Sequence, residues 1–342
     1  MAVASIIGID LGKRSFQLHG AAADGAVAFR KKLSRDKVLA FLARQPTAVV
    51  AMEACGSAHH WGREIARLGH EPRLIPPIYV KPYVKRQKND AADAEAIAEA
   101  ASRPTMRFVS VKTEDQQAQA MVFRTRDLLV RQRTQSINAL RGHLAEHGVI
   151  APQGVAQLGQ LIMAIDDPAS PLPSTVRELG RLLVEQITWL EGKIATMAKA
   201  MRAAATQDDE VTRLTSMPGI GPICAMAIRA FAPPMESFGS GRDFAAWLGI
   251  VPRQLSTGGK TRLGKTSRMG QRDIRRLLII GAMTVVRWAA CKGAPLGSWL
   301  DRMISRKPRM LVAMALANKM ARMVWAMMTK KESYRAPMVA AA

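Results

Sequence analysis

Ser5-Ile6-Ile7-Gly8-Ile9-Asp10-Leu11-Gly12-Lys13 reads as a short apolar strand that ends on a carboxylate, with a glycine that permits a turn just beyond it. Residues 15–19 and 26–33 form a predicted hairpin across Asp24-Gly25. Ser34 is placed to cap a helix over residues 35–44. Residues 47–52 are a second apolar strand, and this one also ends on an acid, Glu53. A helix over residues 57–68 stops at Gly69, and a strand over 71–75 stops at Pro76-Pro77. A basic loop, residues 81–88, leads into an alanine-rich helix from about Asn89 to Ala101, which Pro104 ends. Residues 1–110 are therefore expected to be an α/β domain.

Four acids stand out in it. Asp10 and Glu53 sit at strand ends, and Asp90 and Asp93 open a helix, three residues apart and so on one face. Any one of them has an ordinary reading, since Asp is common in turns and at helix N-termini. Together, acids at adjoining strand ends and on a helix packed over the sheet can converge. Converged carboxylates repel unless hard cations lie between them, and a pair of Mg²⁺ ions there can serve the attacking and leaving oxygens of a phosphodiester. The order strand-Asp-hairpin, strand-Glu, basic loop, Asp-x-x-Asp helix resembles the ribonuclease H-like layout. Actin-like ATPases also begin with a strand and Asp-x-Gly, but their later phosphate-binding glycine loops are not evident, and residues 1–110 are too few for two lobes.

The 342 residues carry 50 Lys and Arg against 27 Asp and Glu, a net charge of +23. That excess points to a polyanionic partner, because each neutralised phosphate releases a counterion. Membrane lipid is the other polyanion. The apolar run 277–291 is short and holds Arg287, and the run 310–328 is broken by Asn318, Lys319 and Arg322. Neither offers the ~20 uninterrupted apolar residues of a span. No signal peptide is expected. Cys55, Cys224 and Cys291 lie far apart without a CxxC or CxxH pair, which argues against a zinc site or disulfide framework and fits a reducing cytoplasm.

Residues 111–208 read as a helical arm. Residues 113–147 place Met121, Leu128, Leu129, Ile137, Leu140 and Leu144 on one helical face, and residues 174–205 do the same with Leu179, Leu182, Leu183, Ile187, Leu190, Ile194 and Met197. A Pro/Gly-rich connection, residues 148–173, joins them. A coiled-coil arm and a plain helical hairpin within one chain both fit.

Residues 209–332 form a basic, mostly helical region, with residues 333–342 as a flexible tail; from Val251 to Glu332 there are 18 Lys and Arg against three acids. Ser216-Met217-Pro218-Gly219-Ile220-Gly221-Pro222 resembles a helix-hairpin-helix, whose glycines turn tightly and whose free amides bind a phosphate without reading sequence. An ordinary corner between two helices is the alternative. Then Pro252-Arg253-Gln254-Leu255-Ser256-Thr257-Gly258-Gly259-Lys260 forms a loop with two hydroxyls, followed by Arg262, Lys265, Arg268, Arg272, Arg275 and Arg276. Gly219, Gly221, Arg253, Lys260 and those six are the candidate nucleic-acid contacts. A hydroxyl amid guanidinium groups can attack a phosphodiester; equally, Ser-Thr-Gly-Gly is common loop composition.

These motifs resemble those of the DEDD-type insertion-sequence transposases, relatives of the Piv invertase and of the bridge-RNA-guided serine recombinases. The likeness covers nearly the whole chain and rests on Ile9-Asp10-Leu11-Gly12-Lys13, Met52-Glu53-Ala54-Cys55-Gly56, Lys88-Asn89-Asp90-Ala91-Ala92-Asp93, Met217-Pro218-Gly219-Ile220-Gly221 and the stretch from Gly249 to Lys260. It implies a RuvC-like N-terminal domain whose Asp10, Glu53, Asp90 and Asp93 bind metal, two Mg²⁺ ions with Mn²⁺ as a substitute. It further implies a coiled-coil arm that builds dimers or tetramers, and a serine that links covalently to DNA. The metal site of one protomer would meet the serine of another. Donor and target double-stranded DNA and a non-coding bridge RNA would be the partners, on the prokaryotic nucleoid in the cytoplasm. The family loop commonly has two serines where this chain has Ser256-Thr257, so Ser256 takes the nucleophile's role and Thr257 is the alternative. A metal-dependent nuclease or Holliday-junction resolvase that uses water is the competing function.

Overall fold

A computed structural model describes residues 3–85 and 90–336. The expected basic loop 81–88, the helix start at Asn89 and the tail 333–342 therefore fall wholly or partly outside the described residues. The chain divides into two compact units, Met1–Asp115 and Gln116–Ala342.

The first unit is a five-stranded mixed sheet with helices on both faces. Its elements are β1 (Ile6–Asp10), β2 (Ser15–Ala21), β3 (Val27–Ser34), α1 (Arg35–Leu42), β4 (Val49–Glu53), α2 (Ala58–Arg67), β5 (Glu71–Ile75), the single turn α3 (Pro77–Val80) and α4 (Asp90–Ala101). The strand order is β3-β2-β1-β4-β5. β1, β2 and β3 are antiparallel neighbours, while β1–β4 and β4–β5 are parallel. The β2–β3 turn needs Gly25 at φ +87°, and the Asp24 carboxylate accepts from Ala26 N–H at 2.9 Å. Exposed Arg30, Lys31 and Lys32 on edge strand β3 discourage pairing with another chain. Ser34 does occupy the N-cap of α1, although its side chain makes no capping bond.

Alternation along the strands sets the two faces. Ile7, Ile9, Val50 and Met52 pack with Val38, Leu42, Trp61 and Ile65 of α1 and α2. Each such fully buried side chain contributes about 1.5–3 kcal/mol. The other face, with Ala51 and Ile75, packs on Ala96, Ile97, Ala100 and Ala101 of α4. Here the spacing is unusually close. A Cβ built on Gly8 comes 2.2 Å from the Ala94 carbonyl oxygen and 2.6 Å from Ala98 N. Glycine in the strand and alanines in the helix are what let α4 lie down on β1. Replacing Gly8 with valine is expected to lift α4 and cost at least ~1–3 kcal/mol of stability, read as a lowered midpoint in urea unfolding.

The second unit holds α5 (Glu114–Ala145, whose first residues lie in the first unit), α6 (Leu158–Asp166), α7 (Ser174–Thr206), α8 (Asp209–Thr215), α9 (Pro222–Phe231), α10 (Gly241–Trp247), β6 (Pro252–Gln254), β7 (Leu263–Thr266), α11 (Arg272–Lys292), α12 (Trp299–Ile304) and α13 (Arg309–Lys330). Arg133 faces Glu191 and Ser136 faces Gln186, so α5 and α7 run antiparallel. Two sequence expectations differ here. The connection between the long helices contains α6, whose Leu158, Leu161 and Ile165 join Ile137, Leu140, Leu144 and Ile187 in a small core. Nor is either long helix buried along one unbroken face. Met121 and Leu128 are exposed, and α5 buries Ala120 and Phe123 there instead; on α7, Leu179 and Leu182 are exposed. Ile137, Leu140 and Leu144 of α5 and Ile187, Leu190 and Ile194 of α7 are buried as their spacing predicts, but the apolar stripe runs on past the contact it makes.

The main core of this unit joins α8 to α11 and α13, with Phe123 against Phe231 and Met201 and Ala205 from α7. α13 is long and apolar enough to cross a membrane by length and composition. Its Val312, Leu316, Met320, Val324 and Met327 are spent on this core, and Asn318 donates to the Ile250 carbonyl at 2.9 Å.

Candidate metal centre

Parity and register bring Asp10, Asp90 and Asp93 together, with Glu53 outside that cluster but close enough to act on Asp10 and to feel Asp93. Asp10 follows Gly8 by two residues and Glu53 follows Ala51 by two, so both carboxylates leave the sheet on the α4 face. The parallel ladder pairs Ile9 with Met52, which sets Asp10 and Glu53 side by side at the ends of adjacent strands. α4 begins over those same ends. One oxygen each from Asp10, Asp90 and Asp93 lies within 4.8 Å of the others. Asp10 and Asp93 are half-buried and Asp90 is exposed.

Electrostatics follow from that crowding. Burial raises the Asp10 carboxyl above its ordinary value, and Asp93, Asp90 and Glu53 raise it further, against a backbone hydrogen bond from Leu11. Burial also raises Glu53, with Asp93 adding to it. Asp93 thus repels both strand-end acids. The nearby Glu95 is paired instead, with Lys85 at 2.5 Å and Arg30 at 3.0 Å, and the hydrogen bond from Lys85, helped by the charge of Arg30, holds its carboxyl below the usual range. The donor set of the other acids is all carboxylate oxygen, which is what a hard divalent cation takes. Such a cation would relieve the repulsion, so the residues fit one.

Sequence reasoning missed the support behind Asp10. Arg35 lies over the rings of Phe16 and Trp61, 5.3 and 5.6 Å from their centroids, and its guanidinium donates to the Gly12 carbonyl at 3.4 Å. This ties down the turn that follows Asp10. No motif marks it, because the three contributors are spread from Gly12 to Trp61.

In the second unit, the expected serine loop is a β-hairpin. β6 pairs antiparallel with β7, and Thr257 and Lys260 exchange backbone hydrogen bonds at 3.3 and 3.0 Å. Gly258 and Gly259 between them both have positive φ, +54° and +76°, as a tight two-residue turn demands. The Gly-Gly pair was the available signal; a three-residue strand opened by proline concealed it. Ser256 is exposed beside the tip, its Oγ accepting from Arg262 N–H at 3.2 Å. Gly249 and Gly270, both at positive φ, close the base, where Arg275 donates to the carbonyls of Leu248 (2.9 Å) and Met269 (3.3 Å).

The model of the transposase family IS116/IS110/IS902 matches residues 211–294, and the DEDD-type IS110 transposase model matches residues 7–148. A probable family 20 transposase of Pseudomonas aeruginosa is 47% identical over 97% of this chain and 98% of its own length. The chain belongs to the IS110/IS116 transposase family. The transposase for insertion sequence element IS1328 of Yersinia enterocolitica is 40% identical over 95% of this chain and 97% of its own. That for element IS1111A of Coxiella burnetii is 36% identical over 96% and 91%. The chain is thus an insertion-sequence transposase, an enzyme that acts on DNA, and its DEDD domain implies use of a divalent metal.

In this transposase the ten expected nucleic-acid contacts differ in their freedom. Arg276 pairs with Asp127 of α5, and Arg275 is committed to the hairpin base. Arg253 reaches the Ser267 carbonyl at 3.5 Å. Lys260, Arg262, Lys265, Arg268 and Arg272 make no ion pair among the described residues and spread along the hairpin and the start of α11. Gly219, at φ +90°, turns the chain between α8 and α9. A Cβ there would come 3.0 Å from the Gly281 carbonyl, and one on Gly281 would come 1.9 Å from that of Gly219. Packing on α11 is therefore enough to require this glycine. Gly221 faces open space before α9.

Proposed function

We propose that the chain recombines DNA through a divided site, in which Asp10, Glu53, Asp90 and Asp93 hold Mg²⁺ and Ser256 is the nucleophile. The convergence of the strand-end Asp10 with Asp90 and Asp93 of α4, with Glu53 electrostatically coupled to them, carries this reading. The N-terminal unit would be a ribonuclease H-like domain of the RuvC type; its terminal Asp strand, antiparallel hairpin and Asp-x-x-Asp helix support that. A bound divalent cation, Mg²⁺ or in its place Mn²⁺, supplies Lewis acidity at the phosphate oxygens. The carboxylates would orient the phosphodiester. The Ser256 hydroxyl would form the new bond to phosphorus as the strand's own P–O bond breaks and its sugar hydroxyl leaves. Energy kept in the serine–phosphate ester would allow rejoining to a second strand.

Lys260, Arg262, Lys265, Arg268 and Arg272, with Arg253 and the Gly219–Gly221 turn as a helix-hairpin-helix, would hold backbone phosphates. Three functional regions follow, residues 1–110, 111–208 and 209–332. The exposed Leu179, Leu182 and Trp189 on α7 support a coiled-coil contact between copies, which would bring one protomer's carboxylates to another's serine. A non-coding bridge RNA would select donor and target. Recombination of a donor and a target plasmid tests this. Product is expected only when the element's flanking non-coding DNA is supplied and transcribed; product without it would remove the RNA from the mechanism.

A further inference from the structure

A cavity of about 510 Å³ opens between α10, α12 and α13, in the second unit and apart from the serine hairpin. Gly241 of α10 touches α13 at its edge: a Cβ there would lie 2.9 Å from the Arg322 carbonyl oxygen. Two indoles, Trp299 and Trp325, line the cavity, with Met323 between them in sequence and two cations, Lys319 and Arg322. No acid is among the lining residues. Trp325 is fixed by its indole N–H, which donates to the Met235 carbonyl at 3.2 Å. Lys319 Nζ lies 4.9 Å from the Trp299 ring centroid, so a cation stands directly against an aromatic surface.

We infer that this cavity receives an unpaired nucleotide, its base against the indoles and its phosphate on Arg322 and Lys319. Flat aromatic walls with cations beside them are how single-strand-binding grooves hold successive bases without reading them. A base in a duplex has both faces covered by its neighbours and cannot enter. The cavity therefore discriminates strand state, where the cations of the hairpin answer only to phosphate. This function does not depend on the metal or serine assignments. The nucleotide can come from DNA opened during exchange or from RNA.

The test uses the full chain and fluorescein-labelled twelve-residue oligonucleotides of one sequence, as single-stranded DNA, single-stranded RNA and duplex DNA, with binding read by anisotropy. Trp299→Ala is expected to weaken single-strand binding about 5- to 150-fold and to leave duplex binding within about twofold. Trp299→Phe should restore most of the loss. Arg322→Gln, at an exposed position, should lower the salt slope for single strands by ~0.7. The strand type that loses more names the source. Equal losses on single strands and duplex, or no loss with either variant, overturn the inference. If Trp299→Ala proves misfolded by circular dichroism, Arg322→Gln alone decides.

Discussion

Asp93→Asn abolishes strand exchange, by roughly a thousandfold or more, in a protein that keeps its helicity and its affinity for DNA. Asp93 is chosen because it is the one acid that repels both Asp10 and Glu53. It therefore stands where a shared cation would be held. Asparagine preserves the side chain's size and its place in the first turn of α4 but removes the charge. Product is counted in the plasmid assay with Mg²⁺ present. Recombination at the wild-type rate by Asp93→Asn would show that these acids only shape the helix start.

Ser256→Ala separates the recombinase from the nuclease. Removing a nucleophile costs on the order of 10⁴–10⁶-fold in rate where nothing replaces it. Wild-type protein with labelled donor DNA is expected to give a covalent adduct that survives a denaturing gel, and Ser256→Ala none. Cleavage that persists in Ser256→Ala without any adduct would make water the nucleophile and the chain a resolvase-like nuclease. Loss of the adduct in Thr257→Ala but not in Ser256→Ala would move the role by one residue. Ser256 is exposed, and its hairpin is closed by Gly258-Gly259 and by Arg275 at the base. Alanine there removes one hydrogen bond, to Arg262 N–H, and leaves the fold intact.

The clustering of Asp10, Asp90 and Asp93 was legible in the sequence because it depends on local rules. Strand parity aims Asp10 and Glu53, and three-residue spacing aligns Asp90 with Asp93. What brings Asp10 to the helix pair is the close seating of α4, and its cause, Gly8 beneath Ala94 and Ala98, becomes visible only once helix and strand are paired. The second unit was less legible because its contacts are distant in sequence. α6 is short and hidden in a Pro/Gly-rich connection. Met121 and Leu128 fall on a plausible stripe, yet Ala120 and Phe123 win the burial because Phe231 lies over a hundred residues away. The two-tryptophan cavity joins Gly241 to Trp325 and carries no local signature.

Manganese binding to the full-length chain, followed by the electron paramagnetic resonance of the free ion, addresses the carboxylates without requiring DNA or RNA. Saturable binding is expected for the wild type, lost in Asp10→Asn and in Asp93→Asn and unchanged in Ser256→Ala. Equal binding by the wild type and both aspartate variants would contradict a metal centre at Asp10, Glu53, Asp90 and Asp93.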